Sequence, residues 1–363
     1  MRYVVALTLL LAACTPAGET LTSSPIPTAS TAAATAPATP TSDPALREFR
    51  TDASAPFPPI EIWATSWSNL VRRWSNGTTS EIPYACREAT SITPDPRGGV
   101  LVYCDAPDGS VGTTSRIFNG TVTTVLAGSA GSAMSPDGRS LVVTRRGTCP
   151  GPAPVCDWRV VLVDLATRSE REVLPNGYYL GAQIGWTPLG LTYFQPECAE
   201  AGCSGSGDKG GTFVWDGARF ARRTALRFVA SAGSYEVYER MKSFSQLEPR
   251  GVVLGGPSGE RDIISGVGVR ALSVNATGET LVWHGGQAQR GWFERYDAKG
   301  QLVWKAEAEG QTVQAASANV IVTAKYSMMG LPTFHVYDID GMTHFEVALG
   351  DARVWTVARR SGP

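Results

Sequence analysis

The feature that most constrains this chain is a repeat of strand-forming segments at intervals of 39 to 50 residues. Each segment is rich in β-branched and aromatic residues, and each follows a short turn, a composition typical of strands. The segments read IEIWAT from Ile60, GVLVYC from Gly99, SLVVTR from Ser140, GLTYFQ from Gly190, SYEVYE from Ser234, TLVWHG from Thr280 and NVIVTA from Asn319. Four short strands with their turns need about 40–45 residues, so the period predicts one four-stranded sheet per repeat.

The internal order of each repeat is also regular. Small and apolar residues precede the central segment, as in GSAMS and RALSV, and this is the composition expected of an innermost strand near a crowded axis. A later strand ends in a turn such as WSNG or IFNG, and Asn-Gly favours tight hairpins because both residues tolerate positive φ. The last segment, ARVWTVAR at 352–359, predicts a lone inner strand that completes the first repeat and closes a ring.

These patterns predict an all-β fold, a seven-bladed β-propeller over residues 58–363 closed by a C-terminal inner strand. Six blades is the alternative count, because the fifth repeat, residues 226–264, is the least regular. At SPDGRSLVV the chain resembles the WD-like repeats of TolB-type bacterial propellers, and at YDAKGQLVWKAEAEG it resembles a quinoprotein-type repeat. Each resemblance covers one or two blades and implies the fold without carrying over a functional residue.

The N-terminus predicts an exported, lipid-anchored protein. MRYVVALTLLLAAC has one basic residue and an apolar run too short to span a bilayer, which is typical of a secretory signal. Its end, Leu11-Ala12-Ala13-Cys14, resembles a bacterial lipobox, which implies removal of residues 1–13 and a lipid such as palmitate on Cys14. Residues 14–57 are rich in Thr, Pro, Ala and Ser, so we expect a disordered tether outside a bacterial cell membrane.

The cysteine count agrees with export to an oxidising compartment. With Cys14 assigned to lipid, six of the seven cysteines remain, which allows three disulfide bonds. Metal binding is the alternative, but the spacings are not C-x-x-C and no histidine lies near them. The predicted disulfide pairs are Cys86 with Cys104, Cys149 with Cys156, and Cys198 with Cys203.

The sequence contains no catalytic, phosphate-binding or metal-binding motif that we recognise. A net charge of −1 and the lack of a basic stripe predict no nucleic-acid partner. His335 and His344 flank a turn on neighbouring strands, which predicts a surface pair rather than a site. We therefore predict no cofactor, no metal and no catalytic residue.

A binding site is predicted on the face that carries the long connections between second and third strands, since binding residues tend to lie on loops held by a rigid scaffold. These connections span residues 104–113, 146–157, 195–211, 240–250, 284–291 and 325–332. Aromatic, Arg and Gln side chains there suit a carbohydrate or a peptide. The candidate ligand-face residues are Trp67, Tyr178, Tyr179, Arg240, Lys242, His284, Gln287, Arg290, Lys325, Tyr326 and Met328.

Two classes of function follow. The first is a non-catalytic binding or scaffold module, monomeric and lipid-anchored, for a protein or glycan ligand of the envelope. The alternative is an enzyme, either a hydrolase or lyase acting on polysaccharide or a quinone-dependent dehydrogenase. Propellers host all of these, so the fold alone does not decide between them. Several carboxylates at the channel mouth would favour the enzyme, and an aromatic patch would favour the binding module.

Overall fold

The structure is a computed structural model, and it describes residues 45–52, 54–66, 69–84, 86, 89–104, 112–128, 130–146, 158–174, 183–195, 210–241, 248–285, 290–326 and 331–360. These residues form strands, turns and bends, and no helix occurs among them.

The strands form seven sheets, which we number as blades one to seven along the chain. Two short strands precede the first blade: β1 (Ala45–Arg47) and β2 (Arg50–Thr51). Blade one contains β3 (Ile60–Thr65), β4 (Leu70–Ser75) and β5 (Thr78–Pro83). Blade two contains β6 (Ala89–Pro94), β7 (Val100–Cys104), β8 (Thr113–Phe118) and β9 (Thr121–Ala127). Blade three contains β10 (Ala130–Met134), β11 (Ser140–Arg146), β12 (Trp158–Asp164) and β13 (Glu170–Leu174).

The second half of the ring repeats this order. Blade four contains β14 (Gln183–Thr187), β15 (Gly190–Gln195), β16 (Gly211–Trp215) and β17 (Phe220–Thr224). Blade five contains β18 (Arg227–Ala232), β19 (Tyr235–Met241), β20 (Pro249–Gly256) and β21 (Gly259–Ser265). Blade six contains β22 (Val269–Val274), β23 (Thr280–Gly285), β24 (Arg290–Tyr296) and β25 (Leu302–Glu309). Blade seven contains β26 (Thr312–Ala315), β27 (Val320–Tyr326), β28 (Pro332–Asp338) and β29 (Thr343–Ala348), and the chain ends with β30 (Val354–Arg359).

The C-terminal strand β30 closes the ring. It pairs antiparallel with β3 from Ile60 opposite Arg359 to Thr65 opposite Val354, so blade one has the strand order β30-β3-β4-β5. Strand β30 lies between the inner strands β26 of blade seven and β6 of blade two. The prediction of seven blades closed by a C-terminal inner strand is confirmed, and the six-blade alternative is wrong.

Tight turns form where the Asn-Gly pairs predicted them. Asn76 and Gly77 have φ of 50° and 76°, and Asn119 and Gly120 have φ of 48° and 75°. Both pairs join the third strand of a blade to the fourth. Positive φ at both central residues matches the right-handed twist of the flanking strands, which is why this dipeptide favours a two-residue hairpin.

The hydrophobic core lies between blades rather than within one sheet. Ile62 of blade one packs in one cluster with Val322 and Phe334 of blade seven. Trp63, only 1% exposed, lies in the next cluster with Val100 of blade two. Each sheet therefore buries both faces against its neighbours, so removing one strand exposes apolar surface on two blades.

The disulfide between Cys86 and Cys104 lies at the junction of blades one and two. The two Cα atoms are 5.7 Å apart, and Cys104 is the register partner of Ala89 at the start of the inner strand β6. Cross-linking residues separated by 18 positions stabilises the folded state by about 3 kcal/mol in the chain-entropy model. The predicted pair is confirmed, and the other four cysteines of the disulfide prediction, like Cys14, lie outside the described residues.

The structure differs from the expected tether at residues 45–57, which we call the N-terminal strap. Strand β1 adds parallel to the outer edge of blade six, with Ala45 opposite Trp304, and β2 adds parallel to the edge of blade seven, with Arg50 opposite Thr343. Between them the ring of Phe49 packs 5.8 Å from Phe293 and 4.8 Å from Tyr337.

A second aromatic anchor lies at the end of the strap. Phe57 packs 5.4 Å from Trp74 and 4.9 Å from Phe345, joining the strap to blades one and seven. Both short strands are exposed along their length. The composition of residues 14–57 predicted disorder, and the two strands of the strap are too short to show a hydrophobic period. The rings of Phe49 and Phe57 supply the buried contacts that hold the strap on the propeller.

The histidine pair beside the strap is not a surface pair as predicted. His335 is 4% exposed, and its Nδ1 shares a 2.9 Å hydrogen bond with Nε2 of His344. The imidazole of His344 stacks on Tyr337 with 4.9 Å between centroids. Burial and the neighbouring His344 lower the pKa of His335 to about 4, so its ring is neutral near pH 7.

Candidate functional site

The central channel holds a cavity of about 750 Å³. Its wall is built mainly by the inner strands of blades five, six and seven, with contributions from blades one and four. Alanine, serine and valine dominate this wall, as predicted for strands crowded around an axis. The lining includes Arg227, Glu239, Arg270, Arg359, Ala271 and Ala316.

Glu239 is a buried carboxylate in the channel wall. It lies on the second strand of blade five and is 1% exposed. Its Oε1 accepts a 2.9 Å hydrogen bond from the backbone N–H of Ala271, beside a β-bulge in the inner strand of blade six. Its Oε2 lies 3.4 Å from the guanidinium of Arg227 and accepts no hydrogen bond among the described residues.

The position of Glu239 has an electrostatic consequence. Desolvation raises the pKa of its carboxyl, while the charges of Arg227 and Arg270 and the bond from Ala271 oppose this shift. A buried carboxylate with an unused acceptor is costly unless a donor reaches it. The free Oε2 is therefore a place for a hydrogen-bond donor entering from the channel.

The arginines give the channel wall a positive balance. Among the described lining residues, the guanidinium groups of Arg227, Arg270 and Arg359 outnumber the carboxylate of Glu239. Arg227 forms an ion pair with Glu239, and Arg359 donates a 3.2 Å hydrogen bond from Nε to the carbonyl oxygen of Ala316. Arg270 is exposed and has no ion-pair partner within 4 Å in the described part of the chain. A guanidinium presents a planar donor fork suited to carboxylate or phosphate.

A second charged group lies at the end of the blades where second strands end and third strands begin, which we call the loop face. Arg290 reaches Glu307 at 3.1 Å and Glu309 at 3.2 Å, and Nζ of Lys325 lies 2.7 Å from Oε2 of Glu309. The hydrogen bond from Lys325 lowers the pKa of Glu309, so this carboxylate is ionised near pH 7. Arg290 and Lys325 were predicted ligand-face residues, and the structure brings them together around one carboxylate.

The other described ligand-face residues are separate from this group. Nε2 of His284 lies 2.7 Å from Oε2 of Glu294 within blade six. Arg240 pairs with Asp262 at 2.9 Å within blade five. The hydroxyl of Tyr326 accepts a 3.1 Å hydrogen bond from the indole of Trp355, which joins blade seven to the closing strand. The remaining ligand-face residues, Trp67, Tyr178, Tyr179, Lys242, Gln287 and Met328, lie outside the described residues.

Sequence reasoning missed the channel residues. Arg270 stands at the start of RALSV, and Arg359 ends ARVWTVAR, two segments that the sequence did predict as inner strands. A charged residue in a segment otherwise made of small and apolar residues was the available signal. It points to the channel only once the segment is known to face the axis.

The described residues contain neither a metal-binding cluster nor a membrane-spanning helix. No group of three or more His, Cys, Asp or Glu side chains is placed there to hold a metal ion. No helix in this part of the chain has the length and apolar character needed to cross a membrane.

Comparisons with solved structures agree with the fold. The β-propeller domain of the Trilobed protease from Pyrococcus furiosus, described as having an open velcro topology, matches with a TM-score of 0.51 and 13% identity over 83% of this chain and 95% of that one. A prolyl endopeptidase structure matches at 0.53 and 11% identity over 83% of this chain and 50% of that one. Prolyl oligopeptidase B from Galerina marginata matches at 0.51 and 10% identity over 83% and 51%.

These matches show the fold alone, because all identities are far below 25%. The chain spans about half the length of the two peptidase chains. No protein-family model matches the chain, and no curated protein matches it in sequence. By structure, therefore, the chain is a seven-bladed β-propeller similar to propellers found in peptidases.

Proposed function

We propose that this chain is a lipid-anchored, extracytoplasmic binding module that holds an acidic ligand of the cell envelope in its central channel. The observation that carries the proposal is the exposed guanidinium of Arg270 beside the buried carboxylate of Glu239 in a 750 Å³ cavity. A ligand carboxylate would pair with Arg270, and a neighbouring N–H or O–H donor would reach Oε2 of Glu239. The ligand then carries both an acid and a donor, as peptides and acidic sugars do.

Binding is better supported than catalysis on the channel residues. Hydrolysis of a polysaccharide by the common two-carboxylate mechanism needs two carboxyl groups on either side of the scissile bond. Among the described lining residues, Glu239 is the one carboxylate. The second candidate is a role associated with a hydrolase, in which the channel would select or hold a substrate. The similarity to peptidase propellers supports this candidate.

The anchor rests on the sequence. The lipobox-like end at Cys14 and the following Thr- and Pro-rich segment support an anchored protein whose first described strand begins at Ala45. Labelling with a palmitate analogue should mark the wild-type protein in a bacterial envelope and leave the variant Cys14→Ala unmarked. Equal labelling of both proteins would contradict the proposed anchor.

Calorimetric titration of the protein with three probes tests the channel. The probes are glucuronate, inorganic sulfate and a tripeptide with a free carboxylate. Because an ionic hydrogen bond contributes about 1.5–3 kcal/mol, Arg270→Ala should weaken binding of the preferred probe by at least tenfold. Glu239→Gln should weaken the probes that carry a donor and spare sulfate, which carries none. Arg240→Ala, a change at a separate surface arginine, is the control, and no saturation by any probe would refute the proposal.

A further inference from the structure

A second cavity, of about 330 Å³, lies at the outer rim where the strap leaves the edge of blade six. Strand β1 ends with Arg47 opposite Ala306, and the chain then turns inward so that Phe49 can pack against blade seven. The turn leaves a notch between the strap and the two blades. The lining residues are Leu46, Arg47, Glu48, Phe49, Arg290, Trp292, Glu307, Ala308, Glu309, Tyr337 and His344.

One wall of this cavity is a partly exposed tryptophan. Trp292 lies on the third strand of blade six and is 40% exposed, and Leu46 beside it is 63% exposed. Nζ of Lys305 lies 5.7 Å from the centroid of the indole ring. A large apolar ring left partly in water next to polar groups is a typical feature of a binding surface, because a ligand can cover it.

Charged side chains line the same cavity as this ring. The guanidinium of Arg290 lies between the carboxylates of Glu307 and Glu309, at 3.1 and 3.2 Å. Arg290 and Glu307 are 66% and 49% exposed at their side chains, so each has donor or acceptor capacity left for a ligand. Donor and acceptor groups therefore line the same cavity.

The charges of the cavity select a neutral ligand. The part of the lining that the structure describes has two arginines, Arg47 and Arg290, and three glutamates, Glu48, Glu307 and Glu309. Lys325, which pairs with Glu309, and Lys305, which lies over Trp292, bring the count to four cations against three carboxylates, a difference of one charge. An anion would face three carboxylates and a cation would face four cationic groups, so the field favours neither strongly.

We propose that this rim cavity is a binding site for a neutral saccharide, separate from the channel. The apolar C–H face of a sugar ring would lie on Trp292, and its hydroxyls, each both donor and acceptor, would bond to Arg290 and Glu307. The volume is at the lower end of small-molecule sites, which suits the end of a glycan chain rather than a long segment. Because the strap forms part of the wall, a bound sugar would also hold the strap against blades six and seven.

Titration of the full-length protein with maltose, cellobiose and N,N′-diacetylchitobiose, followed by tryptophan fluorescence and calorimetry, tests this site. At least one disaccharide should saturate below about 10 mM, a concentration sufficient for a millimolar site. Trp292→Ala should weaken that binding by about tenfold, the typical effect of losing an aromatic contact. Val303→Ala, a change at a 40% exposed residue of the same blade outside the cavity, should leave binding unchanged.

Two further readouts make the test specific. Amide exchange at Glu48 and Phe49 should slow when the disaccharide is bound, because these residues line the cavity. Arg270→Ala should leave disaccharide binding unchanged, so failure of the channel proposal and failure of this one are distinguishable. Absence of saturation by all three sugars, tighter binding of glucuronate or glucosamine than of any disaccharide by Arg270→Ala, or equal disaccharide binding by Trp292→Ala would each overturn the proposal.

Discussion

The two ends of the described chain both add strands to the propeller, but in opposite ways. The closing strand β30 is innermost, antiparallel and six residues long, and Thr356, Val357 and Ala358 within it are buried. The strap adds strands of three and two residues, parallel, to two outer edges, and these strands are exposed throughout. The closing strand is held by pairing with β3 along its full length and by core packing. The strap depends on the packing of Phe49 and Phe57.

This difference bears on how a ring of sheets is kept closed. Opening β30 would expose the inner edge of β3 and two hydrophobic clusters at once, since its side chains pack on blades seven and two. Detaching the strap would expose only the outer edges of blades six and seven, and each of these sheets would still contain four strands. We therefore expect β30 to detach only when the hydrophobic core unfolds. The strap can detach and rebind while the rest of the propeller stays folded.

Removal of residues 352–363 should have the largest effect. The truncated chain loses the inner strand of blade one, so we expect a loss of more than about 5 kcal/mol, comparable to the stability of a whole domain. Thermal unfolding by circular dichroism, with light scattering to detect association through the open edge, measures this. Removal of residues 361–363 alone is the control. An unchanged unfolding temperature after the longer deletion would show that closure is not needed.

Phe49→Ala should have an intermediate effect confined to the strap. The ring is half-buried between Phe293 and Tyr337, so its loss should cost about 2 kcal/mol, less than a fully buried phenylalanine. Denaturant titration gives the free energy of unfolding, and amide exchange should accelerate at residues 45–51 first. Leu46→Ala, at a 63% exposed side chain, should change stability by less than about 0.5 kcal/mol. A uniform acceleration across all blades would mean that strap and ring unfold together.

Acid should weaken the strap side of the ring through His335. Its pKa is about 4 in the folded protein and about 6.5 when unfolded, so the unfolded state binds more protons between these values. Stability is therefore full above pH 6.5 and falls as the pH drops toward 4, by roughly 2–3 kcal/mol. The groups facing His335 are His344, Glu346, Glu309 and Lys325.

Denaturant titrations from pH 7 to 4 measure this slope. The variant His335→Gln cannot gain a proton, so its stability should change less over that range while being lower at pH 7. His284→Gln, at a histidine of blade six without this burial, is the matched control. Parallel profiles for wild type and His335→Gln would assign the acid sensitivity to other groups.

Local signals predicted much of the architecture. The Asn-Gly pair at Asn76 and Gly77 indicated a hairpin from two residues, and the hairpin is there. The period of the strand segments predicted the blade count, because each blade is built from consecutive residues. The pairing of Cys86 with Cys104 was predicted from export and from the cysteine count. The structure places Cys86 in the connection before β6 and Cys104 at the end of β7.

The candidate site was less accessible from the sequence. Glu239 and Ala271 are 32 positions apart and meet only because blade five packs against blade six at a bulge. Arg290 and Lys325 were chosen as loop-face residues, but their convergence on Glu309 depends on how blades six and seven lie side by side. Contacts between blades depend on the twist of whole sheets, which no short segment encodes.

The sequence by itself determined which residues form strands, how many blades they make and which segment closes the ring, because hydrophobic period, turn chemistry and strand length are local properties. Only the tertiary structure decided that Glu239 lies buried with an unused oxygen in a channel of arginines. It also decided that Phe49 ties a short strap to two blades and that His335 is hidden from water. These properties arise where surfaces of different blades pack together around one axis. The burial of a side chain and the charges around it are set by that packing and not by the neighbouring sequence.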